Sequence, residues 1–111
     1  MREIKFRGLI PDSGEISMVQ SISFEEDEIY FSEHGGYCFD IDDCNLMQFT
    51  GLTDKNGVEL YAGDVVYLAG YGEYVCEFPF IELYEGAAEN DIGALIGNIY
   101  QNPELIENNN E

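Results

Sequence analysis

The chain has 111 residues, the size of one ordinary domain, and 45% of them are apolar, enough to bury a core despite a net charge of −19. Asp and Glu number 23 against 4 Lys and Arg, and beyond the first seven residues Lys55 is the only base, so the chain has almost no means of gripping nucleic acid or an anionic membrane directly. The opening "MREIKFRGLI" is charged throughout and no window approaches ~18 apolar residues, so neither a signal peptide nor a membrane span is expected.

"EIKFRGLI" alternates, with Ile4 and Phe6 on one side and Glu3, Lys5 and Arg7 on the other, as a half-buried first strand does. After the turn cluster Pro11 to Glu15, "ISMVQSISF" puts Met18, Ile22 and Phe24 in step at period two. Glu25, Glu26, Asp27 and Glu28 form a four-acid run that reads as an exposed hairpin tip, followed by a short strand at Ile29 to Phe31. In "YCFDIDDC", Tyr37, Phe39 and Ile41 alternate with Cys38, Asp40 and Asp42. "NLMQFTGL" predicts a strand, with Met47 and Phe49 on one face and Gln48 and Thr50 on the other. "TDKNG" supplies Asp and Asn-Gly turn chemistry, with Gly57 taking the positive φ, and "YAGD" supplies a second tight turn at Gly63. "VVYLA" reads as an apolar strand. "EYVCEFPFIEL" reads as a longer strand interrupted at Pro79, and "YEGAAENDIGA" as a loop or a turn or two of helix. "LIGNIY" is a strand, and "NPELI" a short helical turn opened by Pro103.

Seven or eight short strands at intervals of ~8–12 residues predict a mainly β fold, a small sandwich or barrel with a short helical turn near the C-terminus. No linker divides the chain, so residues 1–106 are expected to form one domain, with 107–111 a polar tail.

Two blocks carry a resemblance. "LMQFTGLTDKNGVELYAGDVV" and "IGNIYQNPEL", with the "MREIKFR" opening, resemble the YopX family of phage and prophage proteins from end to end. The matching residues include Gln48, Thr50, Gly51, Asp54, Asn56, Gly57, Gly63 and Asp64 in the first block and Ile96 to Tyr100 and Asn102 to Leu105 in the second. The resemblance implies a small, mainly β, SH3-barrel-like scaffold of phage origin, and implies no activity. Relatives of this kind usually have more lysine near the "GD-(I/V)V" segment, where this chain has "YLAGYGEY", so the acidity is a departure from the pattern.

Each candidate site has a plainer alternative. Gln48, Thr50, Asp54 and Asp64 could line a pocket, but every one has a structural use in a strand or a turn. Asp40, Asp42 and Asp43, with Glu33 and His34 nearby, could hold a hard cation; a calcium-loop spacing is absent, and no metal, cofactor or catalytic centre is expected. Cys38, Cys44 and Cys76 lack CxxC spacing and read as reduced, buried thiols in a cytosol, so a place in the cytoplasm of a host bacterium is expected.

The acids also read as a surface. Alternate residues on a strand share a face ~6.6 Å apart, as Asp40 and Asp42 would, and Glu73 and Glu77 flank Val75 in the same way. Phosphates follow one another at ~3.4 Å along a DNA strand, so carboxylates on a rigid β surface can approach that charge density. A net charge of magnitude ~2–8 suffices to keep a small domain soluble, and this chain far exceeds it. The sequence therefore predicts a non-enzymatic nucleic-acid mimic that binds a basic host protein through Glu25, Glu26, Asp27, Glu28, Asp40, Asp42, Asp43, Glu73, Glu77, Glu82 and Glu85. Tyr67, Tyr71 and Tyr74, presented on a hairpin tip, would add contact. The alternative is a small oligomeric protein-interaction module of phage replication or regulation with no enzymatic activity.

Overall fold

The computed structural model describes residues 4–32 and 38–104, and among these it is mainly β, with nine strands, an α-helix at Ile81–Ala88 and antiparallel pairing throughout. The described residues fall into two compact units, 4–48 and 49–104.

In the N-terminal unit the strands are β1 (Phe6–Leu9), β2 (Ile16–Ser23), β3 (Glu28–Phe31) and β4 (Cys38–Asp40), followed by the start of β5 (Met47–Thr53). Their order is β4-β3-β2-β1-β5, with Met47 and Gln48 of β5 pairing Arg7 and Phe6. Ile10, Ile29, Phe31 and Cys44 form the core, with Val19, Ile22, Phe39, Ile41 and Leu46 packed against it. Gly8 is required here by close approach, since a Cβ would sit 3.2 Å from the Phe31 ring and 3.3 Å from the Cys44 carbonyl oxygen.

Three expectations for this unit are corrected. Ile4 lies outside β1 and is exposed; residues 5 to 7 are half-buried and burial deepens at Gly8 and Ile10. Met18 and Phe24 are also exposed. Val19 pairs Phe31 but Ser21 pairs Tyr30, so Gln20 is an extra residue in β2. The bulge shifts the inward phase from Ser17 and Val19 to Ile22, and a strict period of two cannot follow it. Asp42 does not share a strand face with Asp40, because β4 ends at Asp40 and Ile41–Asp43 form a 3₁₀ turn. The Asp40 carboxylate caps that turn by accepting the Asp42 N–H at 2.9 Å. Glu33, His34 and Tyr37 lie outside the described residues.

The C-terminal unit holds the rest of β5, β6 (Glu59–Tyr61), β7 (Asp64–Leu68), β8 (Gly72–Val75), α1 (Ile81–Ala88) and β9 (Ile92–Asn98). β5 pairs β6, and a second sheet runs β8-β7-β9. The chain leaves β8, passes through α1 and returns as β9 on the other side of β7. Leu60, Val66, Leu68, Tyr74, Cys76, Phe80 and Leu83 are the core, flanked by Leu52, Tyr84, Ile92 and Leu95.

The long strand expected through Pro79 is corrected: β8 stops at Val75, and Ile81, Glu82 and Leu83 open the helix. Phe80 stands at the helix N-cap with φ 62°, a left-handed conformation unusual for an aromatic residue. It is held there by core burial and by a hydrogen bond from its N–H to the Glu77 carbonyl. The turn expected at Asn102 to Ile106 runs into residues outside those described.

Candidate functional site

The turns at Asp54–Gly57 and Gly63–Asp64 are both fastened to the β9 segment. Asp54 Oδ1 accepts the N–H groups of Asn56 at 2.8 Å and Val58 at 2.9 Å, closing the turn that Gly57 completes at φ 84°. Its Oδ2 accepts the N–H of Leu95 in β9 at 2.8 Å. Burial alone would push this carboxyl up; the three backbone donors and the Lys55 charge outweigh it and hold it below the usual aspartate value. Asp64 is buried, accepts the Tyr61 N–H at 2.8 Å, and takes the Asn98 amide at 3.0 Å.

Gly63 (φ 93°) lies under the Tyr100 ring, where a Cβ would come within 2.6 Å. Thr50 Oγ1 donates to the Leu60 carbonyl at 2.8 Å and accepts the Leu52 N–H at 3.1 Å. Gly51 is in the left-handed region (φ 89°) between the Phe49 and Thr53 pairings with β6. Thr50, Asp54 and Asp64 thus spend their side-chain oxygens on bonds that hold strands and turns, and Gln48 belongs to the other unit. A groove of about 380 Å³ does include Asp54 and Lys55, but the Asp54 oxygens are already taken by backbone donors.

The open surface lies at β8 and α1. Gly70 (φ 82°) and Gly72 (φ 100°) bend the β7–β8 hairpin around Tyr71. Alternation in β8 turns Tyr74 and Cys76 inward and leaves Glu73 outside, with Glu77 exposed just past the strand. Tyr74 is thus a core residue, 6% exposed, and not part of a presented trio; Tyr67 and Tyr71 are the exposed pair. The Tyr71 ring meets Tyr74 edge to face at 5.5 Å. Burial, then the charge of Glu82, pushes the Tyr74 phenol up to about 12, and its hydroxyl lies 3.4 Å from Glu82 Oε2.

Tyr71, Glu73, Val75, Glu77, Phe78, Pro79, Ile81 and Glu82 surround a groove of about 410 Å³, with Tyr74 at its floor. A second groove of about 230 Å³ shares Tyr71 and Glu82 with the first and adds Glu85, Glu89 and Asp91. The expected contact acids Glu73, Glu77, Glu82 and Glu85 are therefore gathered here. Lys55, the one base among residues 49–104, lines the separate Asp54 groove.

Glu89, Asp91, Phe78 and Ile81 were absent from the sequence expectation. The signal for Glu89 is its spacing from Glu82 and Glu85, which marks one helix face once residues 81–88 are read as helix.

The N-terminal unit carries the other acids. Glu25, Glu26 and Asp27 occupy the β2–β3 turn, with Asp27 left-handed at φ 57°. Glu28 stands directly opposite Asp40 across β3 and β4, an arrangement that opposes pairing. A hydrogen bond from the Cys38 thiol and another from Glu26 hold Glu28 down, while its hydrogen bond and charge push Glu26 up. Cys44 and Cys76 are buried as expected, but Cys38, on the short strand β4, is exposed, which corrects the expectation for it; the same contact with Glu28 pushes its thiol up, and burial pushes Cys44 up. Asp42 and Asp43 are exposed on the 3₁₀ turn. Among the described residues no three or more His, Cys, Asp or Glu side chains are placed to hold a metal ion, and no helix is long and apolar enough to cross a membrane.

Comparison with known proteins agrees with the motif reading. A family model described as YopX protein matches residues 5–93. Among solved structures, the crystal structure of protein EF1440 from Enterococcus faecalis superposes with a TM-score of 0.61. The likeness covers 95% of this chain and 99% of that one at 23% identity, so it concerns the fold alone. No curated protein matches the chain.

Proposed function

The chain belongs to the YopX family, and from that premise we propose that this member is a phage-encoded, non-enzymatic protein. In this reading it binds a basic, nucleic-acid-binding host protein and occupies the surface that protein offers to DNA or RNA. Host nucleases of the restriction and defence type have such surfaces. The observation that carries the proposal is the gathering of Glu73, Glu77, Glu82 and Glu85 around two grooves that share Tyr71 and Glu82, with no basic side chain lining either.

The charge has a cost that folding does not recover. Self-repulsion opposes compaction, and Glu28 faces Asp40 across a strand pair. Such a surface would steer a Lys- and Arg-rich partner and speed encounter. The buried carboxylates of Asp54 and Asp64 bind backbone and amide donors, which favours a scaffold role for them over acid–base work.

The test is a pull-down from bacterial host lysate with the parent protein and with a Glu73→Gln, Glu77→Gln, Glu82→Gln, Glu85→Gln variant, at low and high salt. The expected result is one basic DNA- or RNA-binding protein, retained at low salt by the parent, released by salt and poorly retained by the variant. Equal retention by parent and variant would overturn the proposal. A second reading, an interaction module that binds through apolar surface, is favoured by exposed Tyr67 and Tyr71. It predicts salt-resistant capture that is lost when those two residues are changed.

A further inference from the structure

We propose that the groove between β8 and α1 is a seat for an arginine-bearing apolar segment of the partner, so that recognition is local and stereochemical as well as electrostatic. This rests on the charge-based reading above and names its point of contact. The first argument is apolar exposure. Tyr71, Phe78 and Ile81 are 60%, 73% and 55% exposed, and all three border one cavity. Scattered single apolar residues on a surface are ordinary, whereas several that share a concave site mark a contact surface. The volume, about 410 Å³, falls in the ~300–1,000 Å³ range of pockets that hold small ligands; it suits a short stretch of side chains and not a folded domain.

Charge complementarity selects the occupant. Glu73, Glu77 and Glu82 rim the same cavity. An anionic or nucleic-acid ligand would meet three carboxylates. A purely apolar ligand would strip water from them without compensation. A second copy of this chain would bring further acids and, beyond residue 7, one lysine.

Arginine answers both halves of the lining. Its planar guanidinium stacks on aromatic faces such as Tyr71 and Phe78, forks onto carboxylates and sheds water more readily than an ammonium. An apolar neighbour in the partner segment would cover Ile81 and Pro79. The wall is held in advance of binding: Phe80 is in the core at φ 62°, and its ring packs edge to face on Phe78 at 5.8 Å and on Tyr84 at 6.3 Å. Ordering of this wall is therefore not charged against affinity.

The test titrates isotope-labelled protein with two short synthetic peptides of equal charge, one alternating arginine with leucine and one alternating arginine with serine, while amide shifts are followed by NMR. The expected result is tighter binding of the leucine peptide by roughly tenfold, with shifts concentrated in residues 71–82. A Phe78→Ser, Ile81→Ser variant, changed only at exposed positions, should lose that preference and keep the salt dependence. Equal affinity for both peptides, or shifts centred on Glu25 to Glu28 and Asp40 to Asp43, would overturn the groove and leave the charge-based reading standing. Absence of binding by either peptide at low salt would overturn the groove as well, and the pull-down with an intact partner would then decide the charge-based reading independently.

Discussion

Asp54 shows how one side chain can define a scaffold. Its two oxygens take three backbone N–H groups, two from its own turn and one from Leu95, so it fastens the first signature block to β9. Hydrogen bonds to a charged acceptor are worth ~1.5–3 kcal/mol each, and orphaned buried donors cost further, so Asp54→Ala should lose about 2–4 kcal/mol in urea unfolding near neutral pH. The pH dependence follows from the depressed carboxyl. Its contribution is complete above the unfolded value of ~3.9 and is lost as pH falls through the lower folded value, so parent and variant should converge in stability below about pH 4. A gap that stayed constant from neutral pH to about pH 3 would contradict this account.

The turn role of Asp54, Gly57 and Gly63 was legible because Asp-x-Asn-Gly and Gly-Asp are local chemistry. The partners Leu95, Asn98 and Tyr100 were not, since nothing local in the sequence states that residues 34 to 41 positions apart in the chain will meet.

At the scale of elements, the strands with clean alternation or continuous apolar runs were found: β1, β3, β5, β7 and β9 lie near their expected places. The misreadings have specific causes. Gln20 is a bulge, so a phase of two that is right at Ile22 is wrong at Met18 on the other side of it. Asp40 ends β4 by capping a 3₁₀ turn, and an acid that caps looks in sequence like an acid that alternates. "FPFIEL" has strand composition, and its eight-residue helix has no side-chain cap to announce it. The helix is set by tertiary packing: Leu83 is fully buried, and the Tyr84 hydroxyl donates to the Thr50 carbonyl on β5 at 2.7 Å. Tyr84→Phe should therefore cost ~1 kcal/mol in urea unfolding, with the added amide exchange concentrated in α1. An unchanged midpoint would show that the helix holds its place without that bond.

For the whole molecule the dominant quantity is charge. A net −19 on 111 residues should make stability rise with added salt, because screening relieves repulsion among acids that outnumber bases by 23 to 4. Thermal unfolding from low salt to ~0.5 M sodium chloride should show a rising midpoint, the Debye length falling from tens of ångströms to below ~10 Å. A midpoint independent of salt would mean that the fold spreads its acids widely enough to feel no strain. Charge was the most legible property of the sequence and its placement the least: composition revealed the excess, but only the β8–α1 geometry brings Glu73, Glu77 and Glu82 together with Phe78 and Ile81, with Glu85 in the adjoining groove.

The most direct test of the central claim is competition. The basic protein captured from lysate is bound to labelled duplex DNA, and this chain is added over a range of salt concentrations. Displacement of the DNA, steep in salt and weakened in the Glu73→Gln, Glu77→Gln, Glu82→Gln, Glu85→Gln variant, is the predicted result. Formation of a ternary complex with the DNA still bound would contradict the account, because the partner's nucleic-acid surface would then be free.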